Sequence, residues 1–586
     1  MRVLLFSPNA FITVHTLPEA LVAEALQNND IELIKVGCDG LYSDYCLSMS
    51  AAGIWPHDNR ELKEQVCVKC RRNKLEINKH FNFKSIEISD YLDSSDINEI
   101  NKIAASIGPD NWLDFVYDSI PVGRYAAYEF LLSYKLNSTA LSTEQFIAYK
   151  IQLINSLKTL FAGKKIFEIY KPDRFLVYHG LYSVNRIMGA LALQNEIPFY
   201  SLHAGSHLLH RMSEMTIFSG VKFQYLTGKH SAWHEYKKRN LNQVQIKRVE
   251  EHIQELIDAS NVLVYSLGSG ILNSENLKTF FEINETQKVI LALMSSADEN
   301  YAGTIVGALP PISGSIFTTQ LEWIEQLISW AKLHPEVFII IRVHPREFPN
   351  KRENVLSEQA KALKNHFLVL PKNVRVNWPE DDIPIHDLLK IIDLGLNNTS
   401  TAGLEILLHG IPVIIHDAQR LIAYPADLNI CPQDRAEYFL SIERALQVGR
   451  SPSHIYNVYK WLSYRSEVVA IDISDGYRLE KPKLHKRIIN RILRELNLER
   501  NSLDGLVAKR KTPLKNQNWL VHAIRNNQES HIQDYMEELE HNNAINDEES
   551  MKIMEESIKQ VFNQIAINDQ DFILKINKLF KKNNGN

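Results

Sequence analysis

The sequence predicts an α/β protein made of two doubly wound, Rossmann-like domains that face a cleft, with a helical C-terminal appendage. Three observations favour this class. Strand and helix patterns alternate from the N-terminus, a second alternating series begins near residue 288, and the composition changes after Pro482. The strands of both series are uninterrupted apolar runs, which is typical of parallel strands buried on both faces.

The first series opens with a strand, a helix and a second strand. Its predicted strands lie at 2–7 (RVLLFS), 31–36 (IELIKV), 174–178 (RFLVY) and 198–202 (PFYSL), and its longer helices at 143–170 and 183–195. We therefore expect an N-terminal domain over residues 1–230.

The second series follows a polar helical segment at 231–260. Its predicted strands lie at 288–294 (KVILALM), 337–343 (VFIIIRV), 393–396 and 412–416 (PVIIH), and its helices at 320–333 and 402–408. We expect a C-terminal domain over 231–480 and a helical tail over 481–586, with amphipathic patterns at 551–565 and 572–580. The tail either contacts another subunit or a membrane-associated partner, or is a solvated segment without a specific role.

The composition excludes several classes of protein. The 586 residues carry 65 Lys and Arg against 70 Asp and Glu, a net charge of −5, and this balance argues against nucleic acid as the main partner. A hydrophobic content of 45% excludes overall disorder, and five cysteines exclude a secreted disulfide scaffold. The N-terminal apolar run is too short for a signal peptide, and no run approaches the ~18 residues of a membrane span. We expect a cytoplasmic protein, either soluble or peripheral to the inner membrane.

A histidine between two arginines closes the strand at 337–343. Pro345 ends this strand because proline lacks an N–H and restricts the residue before it, His344. Ligands of open α/β sheets lie beyond the carboxyl ends of the strands. We therefore expect His344, Arg342 and Arg346 to bind an anion such as a phosphate. A structural strand-end histidine with solvated arginines is the alternative.

A hydroxyl-rich segment follows the strand that ends at residue 396. Thr399, Ser400 and Thr401 precede a helix, and Glu405 lies in its first turns. A helix N-terminus offers unpaired N–H groups and the positive end of the dipole, so this segment is a candidate phosphate site. We predict that His344 and these hydroxyls reach the same phosphate from neighbouring strand-end loops. An ordinary capped helix is the alternative.

These motifs, with the GxPV turn at 410–413, resemble a known family. The ordered set is similar to the C-terminal half of GT-B glycosyltransferases over roughly residues 285–430. The closest resemblance is to capsule polysaccharide and surface-glycan transferases, some of which use CMP-Kdo or CMP-sialic-type donors. The resemblance implies that His344 and Thr399–Thr401 hold the donor phosphate, and that Glu405 contacts the ribose or orients the loop. UDP-sugar 2-epimerases share a similar pattern, so the reaction type stays open.

The same resemblance suggests where a general base would lie. Related transferases often place E-x-G where this sequence has His203, Ala204 and Gly205, so His203 would have to replace the carboxylate. Imidazole, with an unperturbed pKa near ~6.5, is a competent base at neutral pH. His15, after the first strand, is a second candidate. A hydrogen-bonded strand-end histidine is the structural alternative for His203.

Two serines open the first strand-end loop of the second series. Ser295 and Ser296 follow the strand at 288–294, and their hydroxyls are candidates to contact the sugar or the transferred phosphate. A turn that caps the next helix is an equally good interpretation.

Four cysteines fall close together in the first domain. Cys38, Cys46, Cys67 and Cys70 include a C-x2-C pair, which allows a structural zinc site with four thiolate ligands. The gap between Cys38 and Cys46 is longer than the usual ~2–4 residues, so reduced buried thiols are the favoured alternative.

The leading hypothesis is an enzyme that transfers a sugar from a nucleotide-sugar donor to a glycan or lipid-linked acceptor of the cell surface. A UDP-sugar 2-epimerase-like enzyme is the second hypothesis. The third is a non-catalytic subunit of glycan assembly, because the acid of the E-x-G motif is missing.

Overall fold

Two β-sheets organise the protein. The computed structural model describes residues 1–205, 214–220, 232–258, 272–311, 315–350, 353–474, 514, 517–528, 546–566 and 569–581. Its strands are β1 (Arg2–Phe6), β2 (Glu32–Gly37), β3 (Ser85–Glu87), β4 (Arg174–Tyr178), β5 (Phe199–Ala204), β6 (Glu214–Ser219), β7 (Lys288–Leu293), β8 (Val337–Arg342), β9 (Val374–Asn377), β10 (Leu394–Asn397), β11 (Val413–Ile415) and β12 (Ile471–Asp472).

Helices cover both sheets. In the first half they are α1 (Thr13–Gln27), α2 (Leu47–Ala51), α3 (Arg60–Phe81), α4 (Ser94–Ser106), α5 (Val122–Ala126), α6 (Tyr128–Tyr134), α7 (Thr143–Tyr170) and α8 (Ser183–Gln194). In the second half they are α9 (Trp233–Tyr236), α10 (Gln243–Asp258), α11 (Ser274–Phe281), α12 (Ala297–Ile305), α13 (Gln320–Ala331), α14 (Glu358–His366), α15 (Ile385–Leu388), α16 (Ala402–Leu408), α17 (Arg435–Val448) and α18 (Pro452–Tyr464). The described part of the tail contains three more: α19 (Gln517–Arg525), α20 (Asp547–Ile565) and α21 (Gln570–Lys581).

The first sheet has the strand order β12-β6-β5-β4-β1-β2-β3, and the second has the order β11-β10-β7-β8-β9. All pairs of the second sheet are parallel, and in the first sheet only β6 and β12 run antiparallel to their neighbours. Buried apolar residues cover both faces of each sheet. The predicted fold class, two α/β domains with helices after them, is confirmed.

The strand order corrects one prediction about the site. We expected the loops after β8 and β10 to be neighbours, but β7 pairs with both of these strands and separates them. His344 and Thr399 therefore lie on either side of the loop that carries Ser295, because that loop continues the central strand of the three.

The tail returns to both domains. Strand β12, which precedes the tail, pairs with β6 of the first sheet. In the tail, Leu520 and Ile524 of α19 are buried in the first domain with Leu21 of α1. Phe562 of α20 and Phe572 of α21 are buried in the second domain. The boundaries at residues 230 and 480 stay a prediction, and residues 481–513 lie outside the described residues.

Polar contacts of Lys135 and Arg346 join the two domains, and we call this contact region the seam. Lys135, directly after α6, donates through Nζ to the carbonyl oxygens of Phe348 (2.6 Å) and Val355 (2.9 Å). Ala302 of α12 is buried in the core of the first domain. The second domain is thus anchored on the first beside the carboxyl ends of its own strands. Across the described residues, every helix is too short or too polar to cross a membrane.

Candidate functional site

A pocket of about 570 Å³ opens at the carboxyl ends of the second sheet, where the first domain adjoins it. The first domain contributes Asn137. The second contributes Ala297, Asn300, Tyr301, Thr304, Pro311, Ser315, Phe317, Thr318, Thr319, Gln320, Leu321, Gln359, Asn398, Thr399, His416, Asp417 and Arg420. Several hydroxyl and amide groups lie among apolar side chains in this lining, so it suits a ligand that combines an apolar or aromatic part with hydroxyl groups or phosphate oxygens.

Hydrogen bonds join the loops after β7 and β10 at the wall of this pocket. The Ser295 Oγ accepts from the backbone N and the hydroxyl of Thr399, both at 3.0 Å. Asn300 Nδ2 donates to Thr399 Oγ1 at 3.4 Å. Gln320 holds the Ser295 backbone through bonds of 2.8 and 3.0 Å. The structure thus brings Ser295 and Thr399 together and fixes both in place.

The other predicted hydroxyls have local roles. The Ser296 hydroxyl caps α12 by accepting from the Glu299 N–H (3.4 Å) and donates to Asp298 (2.8 Å). The Ser400 Oγ accepts from the Ala402 N–H (3.3 Å), and Thr401 is an exposed N-cap without a capping bond. Like Ser295, the residues Ser296, Ser400 and Thr401 do not line the pocket, whereas Thr399 does.

His344 caps a short 3-10 helix at Pro345–Glu347. Its Nδ1 accepts from the Arg346 N–H at 3.2 Å. Burial first, and then the positive charges of Arg346 and Arg342, lower the pKa of His344 to about 4. The ring is therefore neutral near pH 7, and it does not line the pocket.

Arg346 belongs to the seam between the domains. Its guanidinium, 4% exposed, donates to Asp298 (Nε, 3.0 Å), Glu353 (3.2 Å) and the Leu132 carbonyl of the first domain (2.9 Å). These ion pairs occupy the side chain, so we leave Arg346 out of the proposed phosphate site. Buried charges of this kind persist because they are paired.

Arg342 and Glu405 interact electrostatically. Arg342 donates to Asn377 Oδ1 (2.5 Å) and the Ile383 carbonyl (3.1 Å), and burial lowers its pKa to about 10 while the charge of Glu405 raises it. The Glu405 carboxylate pairs with His386 Nε2 at 3.1 Å. Neither side chain lines the pocket, so the ribose contact of Glu405 stays a prediction.

Three histidines and two tyrosines stack at the carboxyl ends of the first sheet. His15 lies on Tyr178 (ring centroids 4.1 Å apart), and His203 lies 5.7 Å from the same tyrosine. His179 stacks on Tyr182 at 4.1 Å and approaches His203 at 5.3 Å. We call these five residues the imidazole stack. The predicted bases His15 and His203 thus belong to one group that also contains His179.

The contacts of His203 decide which of its nitrogens carries the proton. Nδ1 lies 3.2 Å from the Ala204 carbonyl oxygen. A carbonyl can only accept, so Nδ1 is the donor in this contact, which leaves Nε2 to carry the lone pair whenever the imidazole is neutral. This is the tautomer that a general base needs at Nε2. The neighbouring Ala204 N–H donates to the Tyr178 hydroxyl at 2.9 Å, which fixes the strand end.

Two residues of α6 connect the imidazole stack with the seam. The Tyr128 ring lies 6.1 Å from His179, and the charges of Glu299 and Arg346 act on its hydroxyl. Glu129 accepts from the Ser183 N–H through both carboxylate oxygens at 2.9 Å, and burial raises its pKa to about 7. Sequence reasoning missed this pair because a helix of seven residues gave no site signal.

The pocket residues after β11 were also missed. His416, Asp417 and Arg420 line the pocket, and His416 directly follows the last residue of β11. His344 was a candidate because ligands lie beyond the carboxyl ends of the strands, and the same reason applies to His416. Burial lowers the pKa of His416 to about 4, so it is a neutral wall residue.

The four cysteines lie together without forming a metal site. Cys38, Cys46, Cys67 and Cys70 line one small pocket, and all four are free thiols. Among the described residues, no group of three or more His, Cys, Asp or Glu side chains is arranged to hold a metal ion. Burial raises the pKa of each thiol, so all four are protonated near pH 7. The described residues therefore give no support to the four-thiolate zinc site that the sequence allows, and reduced thiols are the favoured interpretation.

No protein-family model matches the sequence, and no curated protein matches it either. Solved structures align with it at low identity. The spinosyn rhamnosyltransferase SpnG complexed with thymidine diphosphate covers 79% of this chain and 96% of its own at 13% identity, with a TM-score of 0.23. The UDP-GlcNAc 2-epimerase from Neisseria meningitidis bound to UDP-GlcNAc covers 84% and 100% at 12% identity, with a TM-score of 0.22.

A third structure is the Thermosulfurimonas dismutans KpsC, a beta Kdo 2,4 transferase. It covers 50% of this chain and 79% of its own at 13% identity, with a TM-score of 0.29. Because all three scores are below 0.5, the proposals that follow depend on the residues of this chain.

Proposed function

We propose that the protein is a glycosyltransferase that moves a sugar from a nucleotide-activated donor to a cell-surface glycan or lipid-linked acceptor. CMP-Kdo and CMP-nonulosonates are the donor types that the sequence resemblance implies. The observation that carries the proposal is the 570 Å³ pocket at the carboxyl ends of the second sheet, with Asn137 of the first domain in its wall. Such edges of parallel sheets are where nucleotides bind.

The donor phosphate would contact Thr399 and the Ser295 loop. Thr399 lines the pocket, and its hydrogen bonds to Ser295 hold its hydroxyl in one position. Fixed donors stabilise a leaving group that gains negative charge, because no reorganisation is needed during the reaction. The neutral His344 would support this wall by holding the backbone after β8.

The acceptor hydroxyl would lose its proton to the imidazole stack. The contact of His203 Nδ1 with a carbonyl oxygen supports this role, because it favours the tautomer that would accept a proton at Nε2. The stack and the pocket both lie beyond the carboxyl ends of their sheets. Sugar transfer from a nucleotide requires a base for the acceptor and a binding site for the donor. The two sheet edges would supply one each.

A nucleotide screen tests the proposal. The melting temperature is measured with CMP, CDP, UDP and GDP, each alone. A nucleotide at a hundredfold excess over its dissociation constant raises the free energy of unfolding by about 2.7 kcal/mol. We expect one of the four to stabilise the protein, and no shift with any of them would contradict the proposal.

Incubation of the matching nucleotide sugar without an acceptor separates transfer from epimerisation. A transferase leaves the sugar configuration unchanged and forms product only when an acceptor is added. Accumulation of an epimer in the acceptor-free reaction would favour the UDP-sugar 2-epimerase hypothesis instead.

A further inference from the structure

Four protruding aliphatic side chains mark the edge of the second domain that lies opposite the pocket. Five large apolar side chains of the described residues are more than 75% exposed. Four of them are Leu333 (78%), Leu368 (80%), Val369 (89%) and Val448 (77%). The fifth, Val244 (76%), lies on α10.

The four side chains occupy the ends of three adjacent helices. Leu333 follows α13, the pair at 368–369 follows α14, and Val448 ends α17. All three helices bury residues in one cluster on one face of the second sheet. Trp330 of α13 stacks with Phe439 of α17, with ring centroids 6.0 Å apart.

The three helices end at the same edge of the sheet. His366 of α14 pairs with Glu325 of α13 at 3.4 Å, and Arg435 near the start of α17 pairs with Glu322 near the start of α13. Helices α13 and α14 lead directly into β8 and β9, so their C-terminal ends lie where these strands begin. Asn373 Nδ2 connects the two loops by donating to the carbonyls of Ala331 (2.8 Å) and Val337 (2.9 Å). We call the residues Leu333, Leu368, Val369 and Val448 the apolar edge.

Exposed lysines flank the apolar edge. Lys332 precedes Leu333, and Lys372 lies three residues after Val369; both are exposed. The loops at 332–336 and 367–373 contain one carboxylate, Glu336, which pairs with His334 at 3.0 Å. Lysines extend towards headgroups while neighbouring apolar side chains enter the lipid.

We propose that the apolar edge docks on the surface of an anionic lipid bilayer. Leu and Val insert between the headgroups, and Lys332 and Lys372 contact the lipid phosphates. Protein interfaces concentrate their binding energy in Trp, Tyr and Arg, whereas the protruding side chains here are aliphatic and next to lysines. Docking by this edge leaves the pocket, at the opposite edge of the sheet, open to ligands from the aqueous phase.

Co-sedimentation with vesicles tests the proposal on the full chain. The vesicles are phosphatidylcholine alone or phosphatidylcholine with phosphatidylglycerol. The edge variant carries L333S, L368S, V369S and V448S. The matched control carries L75S, I147S, L193S and V244S, four exposed aliphatics on other surfaces. Exposed positions cost little stability, and equal melting temperatures of the two variants verify this.

We expect the wild type and the control to bind the phosphatidylglycerol vesicles. The edge variant should lose about tenfold or more of its partition coefficient, because four side chains no longer bury apolar area. A K332E/K372E variant should lose the preference for phosphatidylglycerol, and added salt should weaken wild-type binding.

Three outcomes would overturn the proposal. One is equal vesicle binding by the edge variant and the control. Another is no binding of the wild type to either vesicle. The third is a self-association, seen by sedimentation velocity, that only the edge variant loses, which would assign the edge to a second copy of the chain. None of these readouts uses nucleotide, so they are independent of the proposed activity.

Discussion

The carboxyl ends of the two sheets have the same backbone architecture and different chemistry. At the first sheet, three imidazoles stack with two phenol rings, and the His15 and Tyr178 rings lie 4.1 Å apart. At the second sheet, hydroxyls and amides line an open pocket of about 570 Å³. The first edge offers imidazole rings, which can accept and donate protons, and the second offers hydroxyl and amide groups, which donate hydrogen bonds without changing charge. The difference teaches that parallel sheets fix where a site lies, while the loop residues decide what it does.

The largest expected effect is a loss of turnover when His203, the proposed base of the imidazole stack, is replaced. His203→Asn should lower turnover by about 10²–10⁴-fold, the usual contribution of a general base, while nucleotide affinity stays within a factor of about two. The measurement is the transfer rate at saturating donor together with calorimetric titration of the nucleotide. His15→Asn is the matched comparison, since it removes a ring that stacks on the same Tyr178. Equal losses in both variants would mean that the stack is structural and that neither ring is the base.

The second prediction concerns the seam between the two edges. Arg346→Met leaves Asp298, which is fully buried, without its partner, and removing one partner of a buried pair costs about 3–5 kcal/mol. Urea denaturation should therefore show a large loss of the free energy of unfolding. Arg435→Met removes an ion pair whose arginine is 50% exposed, and it should cost less than about 1 kcal/mol. A small loss in Arg346→Met would show that this arginine is available to a ligand, as the sequence alone suggests.

The smallest expected effect is a change in the free energy of unfolding with pH. Burial raises the pKa of Glu129 to about 7 from 4.5, so folding favours the protonated carboxyl. The stability that this group contributes is fully present below about pH 4.5 and is lost as the pH rises through about 7. Glu129→Gln keeps an acceptor for the Ser183 N–H and does not titrate. The wild type should therefore lose stability relative to this variant between pH 5 and pH 8, by no more than about 3 kcal/mol.

Melting curves of both proteins across this range give the difference. A wild type that gains on the variant as the pH rises would mean that Glu129 is ionised in the fold and paired with a cation.

The sequence predicts the sheets well because buried parallel strands are uninterrupted apolar runs. Residues 174–178 are a strand as predicted, and the other predicted strands agree within one or two residues at their ends. The strands missed are β3, β6, β9 and β12, which are two to six residues long. Strands β3, β9 and β12 are short edge strands, and β6 runs antiparallel to its neighbours, so none has the long apolar run of a buried parallel strand.

The site was harder to predict than the fold, because partners in space decide the role of a side chain. His344 and Thr399 were correctly placed after strands, but the strand order puts the Ser295 loop between them. Arg346 sits in a favourable motif, yet Glu353 and two groups distant in sequence, Asp298 and the Leu132 carbonyl, occupy its guanidinium. The proximity of His15, His179 and His203 depends on three separate strand ends, so their stacking appears only in the structure.

One titration tests most directly whether the pocket wall, and not the start of α16, holds the donor phosphate. The nucleotide that stabilises the wild type is titrated by calorimetry into Thr399→Val and Thr401→Val. Thr399 lines the pocket and Thr401 does not. We predict a loss of about tenfold in affinity for Thr399→Val, as for one hydrogen bond to a charged group, and an unchanged affinity for Thr401→Val. The reverse order would contradict the account.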